Sequence, residues 1–241
     1  MVLDGVVLLA APTSRSRAYV QALVAHELKP SLVILLGAER PPTPPMTGGL
    51  SEWNGVALPD LSESVSLSCM RARVPVMHCL DGDVNSPEAL ALLSDAAPRV
   101  LIYSGVGGRI VAPPALGLGR QVLHLHSGWL PDYRGSTTLY YALLNGDMPG
   151  VTALLLDQGI DTGPMVARKR YSRPPSGMDI DNLYDSAIRA DLLVQVMRDY
   201  HVDGRFSRVT VQSATEGATH YVIHPVLKHL ALLSLAPPPS S

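Results

Sequence analysis

Residues 123–166 read LHLHSGWLPDYRGSTTLYYALLNGDMPGVTALLLDQGIDTGPMV, and the fold of the chain turns on them. An apolar run ends in His124-Leu125-His126. With a strand period of two, both imidazoles lie on one face. A turn-rich segment, Ser127 to Gly135, follows, and residues 136–144 then read as a helix closed by Asn145-Gly146-Asp147. Residues 151–156 are a second apolar strand leading into the acidic, glycine-bounded loop Asp157-Gln158-Gly159-Ile160-Asp161-Thr162-Gly163. Two strand ends and one acidic loop, brought together, place imidazoles beside a carboxylate.

Working outward, residues 5–11 and 32–37 are apolar throughout, as parallel strands buried on both faces are. Between them, Val20, Leu23, Val24 and Leu28 recur at helical spacing, with a cap at Pro12-Thr13-Ser14 and a stop at Lys29-Pro30-Ser31. This β-α-β unit predicts an α/β fold with a Rossmann-like, doubly wound, mostly parallel sheet. Its first turn, Ala11-Pro12-Thr13, has no Gly-x-Gly-x-x-Gly, which disfavours nicotinamide and flavin cofactors. Arg15 and Arg17 open the helix and could meet an anion, although base rates favour a solvated first turn. Residues 40–59, with PPTPP inside, predict a long excursion within one domain, because the α/β pattern resumes after it. Residues 74–79 and 100–103 predict further strands, Ser86 caps a helix to about Leu93, and residues 179–200 form the most regular amphipathic helix. Domain 1–200 is thus followed by a C-terminal extension, 201–241.

The chain has 241 residues, a net charge of -2, 46% hydrophobic and 17% charged residues. That predicts a globular protein with no basic surplus for a nucleic-acid backbone. Two cysteines, Cys69 and Cys79, make no disulfide framework, so a reducing cytoplasm is the expected location. No apolar run reaches the roughly 18 residues that span a bilayer, so no membrane partner is expected.

His126 and Asp161 could form an imidazole–carboxylate pair in which the acid raises the imidazole pKa and fixes its tautomer. Such a pair can move protons during addition to a carbonyl. The alternative is a buried histidine bonded to backbone and an aspartate bracing a turn. His124 invites a metal reading, but His-x-His with one distant acid is thin, and no metal is expected. Arg134 could clamp a substrate or tie down its loop. Ser127 lacks a nucleophile elbow, which disfavours a serine hydrolase. His220 and His224 could share one face of a strand, where packing of the tail is the plain reading.

The stretch HLHSGWLPDYRGSTTLYYALLNGD, then GVTALLLDQGIDTGPMV, resembles the signature of the folate-dependent formyltransferases, the glycinamide ribonucleotide, methionyl-tRNA and sugar N-formyltransferases. The resemblance implies the formyltransferase fold and the co-substrate 10-formyltetrahydrofolate. It makes His126 and Asp161 the catalytic pair. It casts Gly107, Gly108, Arg109, Ile110 and Val111 as the strand-end segment that holds the pterin, with Asp157, Gln158, Gly159 and Ile160 closing over it. Ser127, Gly128, Tyr133 and Arg134 then face the acceptor. His124 stands where the family carries an asparagine that donates to the oxyanion. An imidazole N–H can donate too, but it can also exchange a proton, which asparagine cannot.

About 40 residues follow Tyr200, fewer than the extra domain of the tRNA enzymes requires. The leading expectation is therefore formyl transfer to the amine of a small metabolite. Alternatives are a diverged, folate-independent chemistry run by the His124/His126 pair, and a non-catalytic metabolite-binding relative. The tail helix and the HYVIHP segment, residues 220–225, could form a homodimer surface.

Overall fold

The computed structural model describes residues 1–39, 51–108, 111–117, 121–213 and 216–236. Arg109 and Ile110 of the expected pterin segment, residues 40–50 of the proline-rich excursion, and residues 237–241 lie outside the described residues. In chain order the elements are β1 (Val2–Ala10), α1 (Ser14–Ala25), β2 (Lys29–Leu36), β3 (Glu52–Trp53), β4 (Val56–Ala57), α2 (Val65–Ala72) and β5 (Val76–Cys79). There follow α3 (Pro87–Ala96), β6 (Val100–Ser104), α4 (Pro113–Leu116), β7 (Gln121–His126), β8 (Tyr133–Gly135), α5 (Thr138–Leu144), β9 (Gly150–Leu155) and β10 (Met165–Arg170). A π-helical turn (Ile180–Tyr184) leads into α6 (Asp185–Asp203), and β11 (Ala218–His220) and α7 (Pro225–Leu233) end the described chain.

Seven strands form one sheet in the order β10-β9-β7-β6-β1-β2-β5. β5, β2, β1, β6 and β7 run parallel, β9 pairs antiparallel with β7, and β10 pairs antiparallel with β9. The expected α/β, mostly parallel sheet is therefore present. Alternation along β1 divides the core. Val6, Leu8 and Ala10 pack with α1 and α6, and Val7 and Leu9 pack with α3 on the other side. Both faces are covered, which is why β1 reads as an unbroken apolar run.

Helix α1 starts and ends earlier than the apolar spacing predicts. The Thr13 side chain accepts from Ser16 N, so the cap lies one residue before Ser14, and Lys29-Pro30 open β2. Its first turn is not solvated. Arg17 is 8% exposed and donates to Leu61 O at 2.6 Å. Arg15 reaches Ser104 Oγ at 3.3 Å and also bonds Gly105 O. The helix points Arg15 at the end of β6, where the Ser104 hydroxyl and the Gly105 carbonyl take its guanidinium donors. Residues 208–211, which read as a strand, form only an isolated bridge between Thr210 and Met165. His220 and His224 share no strand: His220 ends β11, and His224 caps α7 by accepting from Val226 N. No described helix is long and apolar enough to cross a membrane.

The segment after α6 folds back over the central stretch. β11 pairs in parallel with β8, α7 packs on α5, and Ile223 N donates to Thr137 Oγ1 at 2.9 Å. The His220 ring lies 5.3 Å from the Tyr133 ring and 4.5 Å from that of Tyr141. Gly135 and Gly217 permit this approach. A Cβ would stand 2.1 Å from His220 O at Gly135 and 1.8 Å from Pro131 O at Gly217.

Candidate active site

The site lies where β7 ends. Strand parity carries both His124 and His126 to one face, and the acidic loop after β9 brings Asp161 to them. His126 is 5% exposed. Its Nε2 is 2.6 Å from Tyr133 O, and its Nδ1 is 3.4 Å from Asp161 Oδ2. The Tyr133 carbonyl can only accept, so Nε2 carries the proton and Nδ1 presents a lone pair towards the carboxylate. Two acceptors thus face one another across a gap that suits a cation or a proton.

Both partners are held from behind. Asp161 adopts a left-handed backbone, φ 54°, and Gly135 N donates to its Oδ2 at 2.9 Å. Gln212 Nε2 donates to Asp161 O at 2.9 Å and to Gly163 O at 2.7 Å. On the other side, Thr152 Oγ1 donates to Gly128 O at 2.7 Å and accepts from Leu130 N at 3.1 Å. Gly128 has no room for a side chain. A Cβ would stand 2.3 Å from Tyr133 O and 2.4 Å from His126 Nε2. Gly163 is as tight, with Leu155 O 1.8 Å from where its Cβ would be.

Burial holds the His126 imidazole below its ordinary value. Asp161 and the Tyr133 carbonyl pull it up and Arg189 pulls it down, and burial prevails. The expectation of a raised value is therefore corrected. Asp161 acts in the expected direction, but loss of water outweighs it. His124 is held well below its ordinary value, first by burial and then by the charges of Arg15 and Arg189 and by His126. Its Nδ1 is buried with no hydrogen-bond partner among the described residues, and its ring lies 5.9 Å from that of Tyr103. Arg189 is anchored by Asp185 at 3.0 Å and donates to Leu125 O at 2.9 Å.

The remaining expected residues divide. Ser127 is buried, its Oγ has no partner among the described residues, and its carbonyl accepts from Thr138 Oγ1. Tyr133 supplies the carbonyl that holds His126. Its hydroxyl turns away to Asp147 and Asn145. The Arg134 guanidinium bonds Gln212, Ser213 and Glu216, so it ties the C-terminal segment to the site loop. Gly107 and Gly108 are exposed at the end of β6, with nothing within 4 Å of a Cβ at either, and Val111 is buried. Asp157 accepts from Gly159 N at 3.0 Å and Thr162 Oγ1 at 2.9 Å, which leaves Gln158, Gly159 and Ile160 exposed on a tight turn. Sequence reasoning missed Gln212 and Arg189. Nothing local marks either, since their roles depend on segments far away in the chain. A separate cavity of about 160 Å³, lined by Trp53, Lys169, Tyr171 and Tyr184 among others, contains none of these groups.

Residues 82–191 match the family model described as formyl transferase. A methionyl-tRNA formyltransferase of Chloroflexus aurantiacus is 33% identical over 144 residues, 56% of this chain and 44% of that one. The chain thus spans about half the length of the curated relatives it matches. Among solved structures, glycinamide ribonucleotide transformylase 1 from Symbiobacterium toebii superposes with a TM-score of 0.57 at 17% identity, covering 88% of this chain and 96% of that one. An N-formyltransferase from Helicobacter canadensis, in complex with folinic acid and dTDP-3-aminofucose, superposes at 0.55 with 14% identity, covering 89% and 70%. These likenesses show a shared fold, and the stretch that matches the formyl transferase family model, residues 82–191, contains both His126 and Asp161.

Proposed function

We propose that this protein transfers the formyl group of 10-formyltetrahydrofolate to the amine of a small metabolite. The observation that carries the reading is the His126–Asp161 gap at the C-terminal end of the parallel strands, where open α/β sheets bind ligands. The exposed glycines at the end of β6 leave a backbone that a flat ring can approach, and the Asp157–Ile160 turn is free to cover it. In the reaction a bond forms between the amine nitrogen and the formyl carbon, and the bond from that carbon to the folate N10 breaks. The proton lost by the amine ends on N10. His126 Nδ1 is the group placed to carry it, being neutral beforehand and facing a carboxylate that stabilises the imidazolium once formed. His124 takes the oxyanion-donor position through a ring N–H.

Calorimetric titration with folinic acid, a stable formylfolate, tests the donor assignment. Saturable binding is expected, and no binding at high ligand concentration would remove it. One observation favours a second reading, diverged chemistry on the same fold: a titratable ring whose Nδ1 has no partner among the described residues stands at position 124. Under formyl transfer, His124→Asn keeps or improves activity. Under the second reading it impairs activity.

A further inference from the structure

We propose that His124, His126 and Asp161 form a binding site for one divalent first-row transition-metal ion, held by two imidazole nitrogens and one carboxylate oxygen with the remaining positions open. Sequence spacing argued against a metal because the one acid that could join the two histidines is distant in the chain. The fold brings that acid in: a ligand atom from each of the three residues lies within 4.8 Å of the others. Two of the three donors are already at coordination spacing. Bonds of about 2.0–2.2 Å at tetrahedral angles separate neighbouring donors by about 3.3–3.6 Å, and His126 Nδ1 is 3.4 Å from Asp161 Oδ2.

The surrounding bonds are those a metal site needs. A metal-binding histidine usually donates its other ring N–H to a carbonyl, which fixes the tautomer and aims the lone pair. His126 Nε2 does so to Tyr133 O at 2.6 Å. The carboxylate is oriented by Gly135 N at 2.9 Å, and its backbone is clamped by Gln212. His124 Nδ1 is buried with no partner among the described residues, an arrangement that coordination would satisfy. The His124 donor lies within 4.8 Å of the other two, within reach of a ring rotation that closes the site on an ion. Two imidazoles and one carboxylate suit zinc, iron(II) or cobalt(II) over magnesium or calcium, which prefer all-oxygen sites. An ion here takes the His126 Nδ1 lone pair, so metal-loaded and proton-carrying states exclude each other. The inference itself does not rest on the folate reading, because the donors are the same whatever the substrate.

The full-length chain, stripped with chelator and dialysed, is titrated with Zn²⁺ by calorimetry and with Co²⁺ by visible absorbance. One ion per chain is expected. His124→Asn and Asp161→Asn should each weaken binding by at least about 100-fold, more than loss of an outer partner costs. His229→Ala, on exposed α7, should leave binding unchanged. Circular dichroism confirms that each variant is folded, and the two substitutions are independent should one fail. No saturable binding to the wild type, or equal binding by both site variants, overturns the proposal. Folinic acid binding is measured separately, so failure of the metal site and failure of the folate assignment are distinguishable.

Discussion

The two rims of the site are built on opposite principles. At the β7–β8 turn and the acidic loop, glycines stand where nothing larger fits: Gly128, Gly135 and Gly163 each place a would-be Cβ within 2.3 Å of a backbone oxygen. At the end of β6, no atom of the described residues lies within 4 Å of a would-be Cβ at Gly107 or Gly108. The first rim fixes chemistry, since a loose imidazole or carboxylate would lose the alignment that proton transfer or coordination needs. The second leaves its backbone uncovered by the described residues. Glycine serves both, through close approach of the chain to itself in one and, under the proposed function, of a ligand to the chain in the other.

The sharpest way to break the contrast is Gly128→Ala. Its methyl displaces either Tyr133 O or His126 Nε2, so activity should fall about 10²–10⁴-fold, the range for losing acid–base catalysis. The ¹⁵N shifts of His126 should lose the Nε2–H tautomer signature, and an unchanged tautomer would refute the role given to this glycine. Gly163→Ala meets Leu155 O and should destabilise by about 3 kcal/mol. A melt shift of about 6–12 °C would register it.

Next comes pH. Both site histidines have folded values below the ordinary 6.5, so the unfolded chain binds more protons between those lowered values and 6.5. Their contribution to stability is whole above 6.5 and is lost as pH falls through that window, at up to about 1.4 kcal/mol per pH unit for each histidine. Denaturant melts across the window should show the decline, and His124→Asn should flatten it. A stability that rises as the solution is acidified would contradict both directions. The smallest effect belongs to the open rim. Gly107→Ala should change stability by no more than about 0.5 kcal/mol. It should still weaken folinic acid binding, which separates ligand seating from folding.

Much of the fold was legible because it depends on short-range pattern. Residues 6–10 and 100–103 are strands because both faces are apolar, and the two-residue period along β7 is enough by itself to put His124 and His126 on one face. Asp161 was legible from its glycine-bounded loop. Helix α7 was missed, and its burial pattern explains why. Of its residues only Ala231 is buried, and Val226, Leu227, Leu230 and Leu233 stay exposed, so no apolar stripe faces inward. Strand β10 was missed because it is an edge strand carrying Arg168, Lys169 and Arg170, a composition that protects an open edge and hides the strand period.

The sequence by itself determined the α/β layering, the strand that carries the histidines and the loop that carries the acid, because periodicity and turn chemistry act over a few residues. Only the tertiary structure decided what those side chains face. Gln212 clamps the Asp161 backbone from a segment about 50 residues on. Arg134 turns to the C-terminal segment, and Arg15 turns inward to Ser104. The lowered pKa of His126 is decided in the same way. The carboxylate that raises it can be read from a motif, but the burial that outweighs that carboxylate is a property of everything packed around the ring.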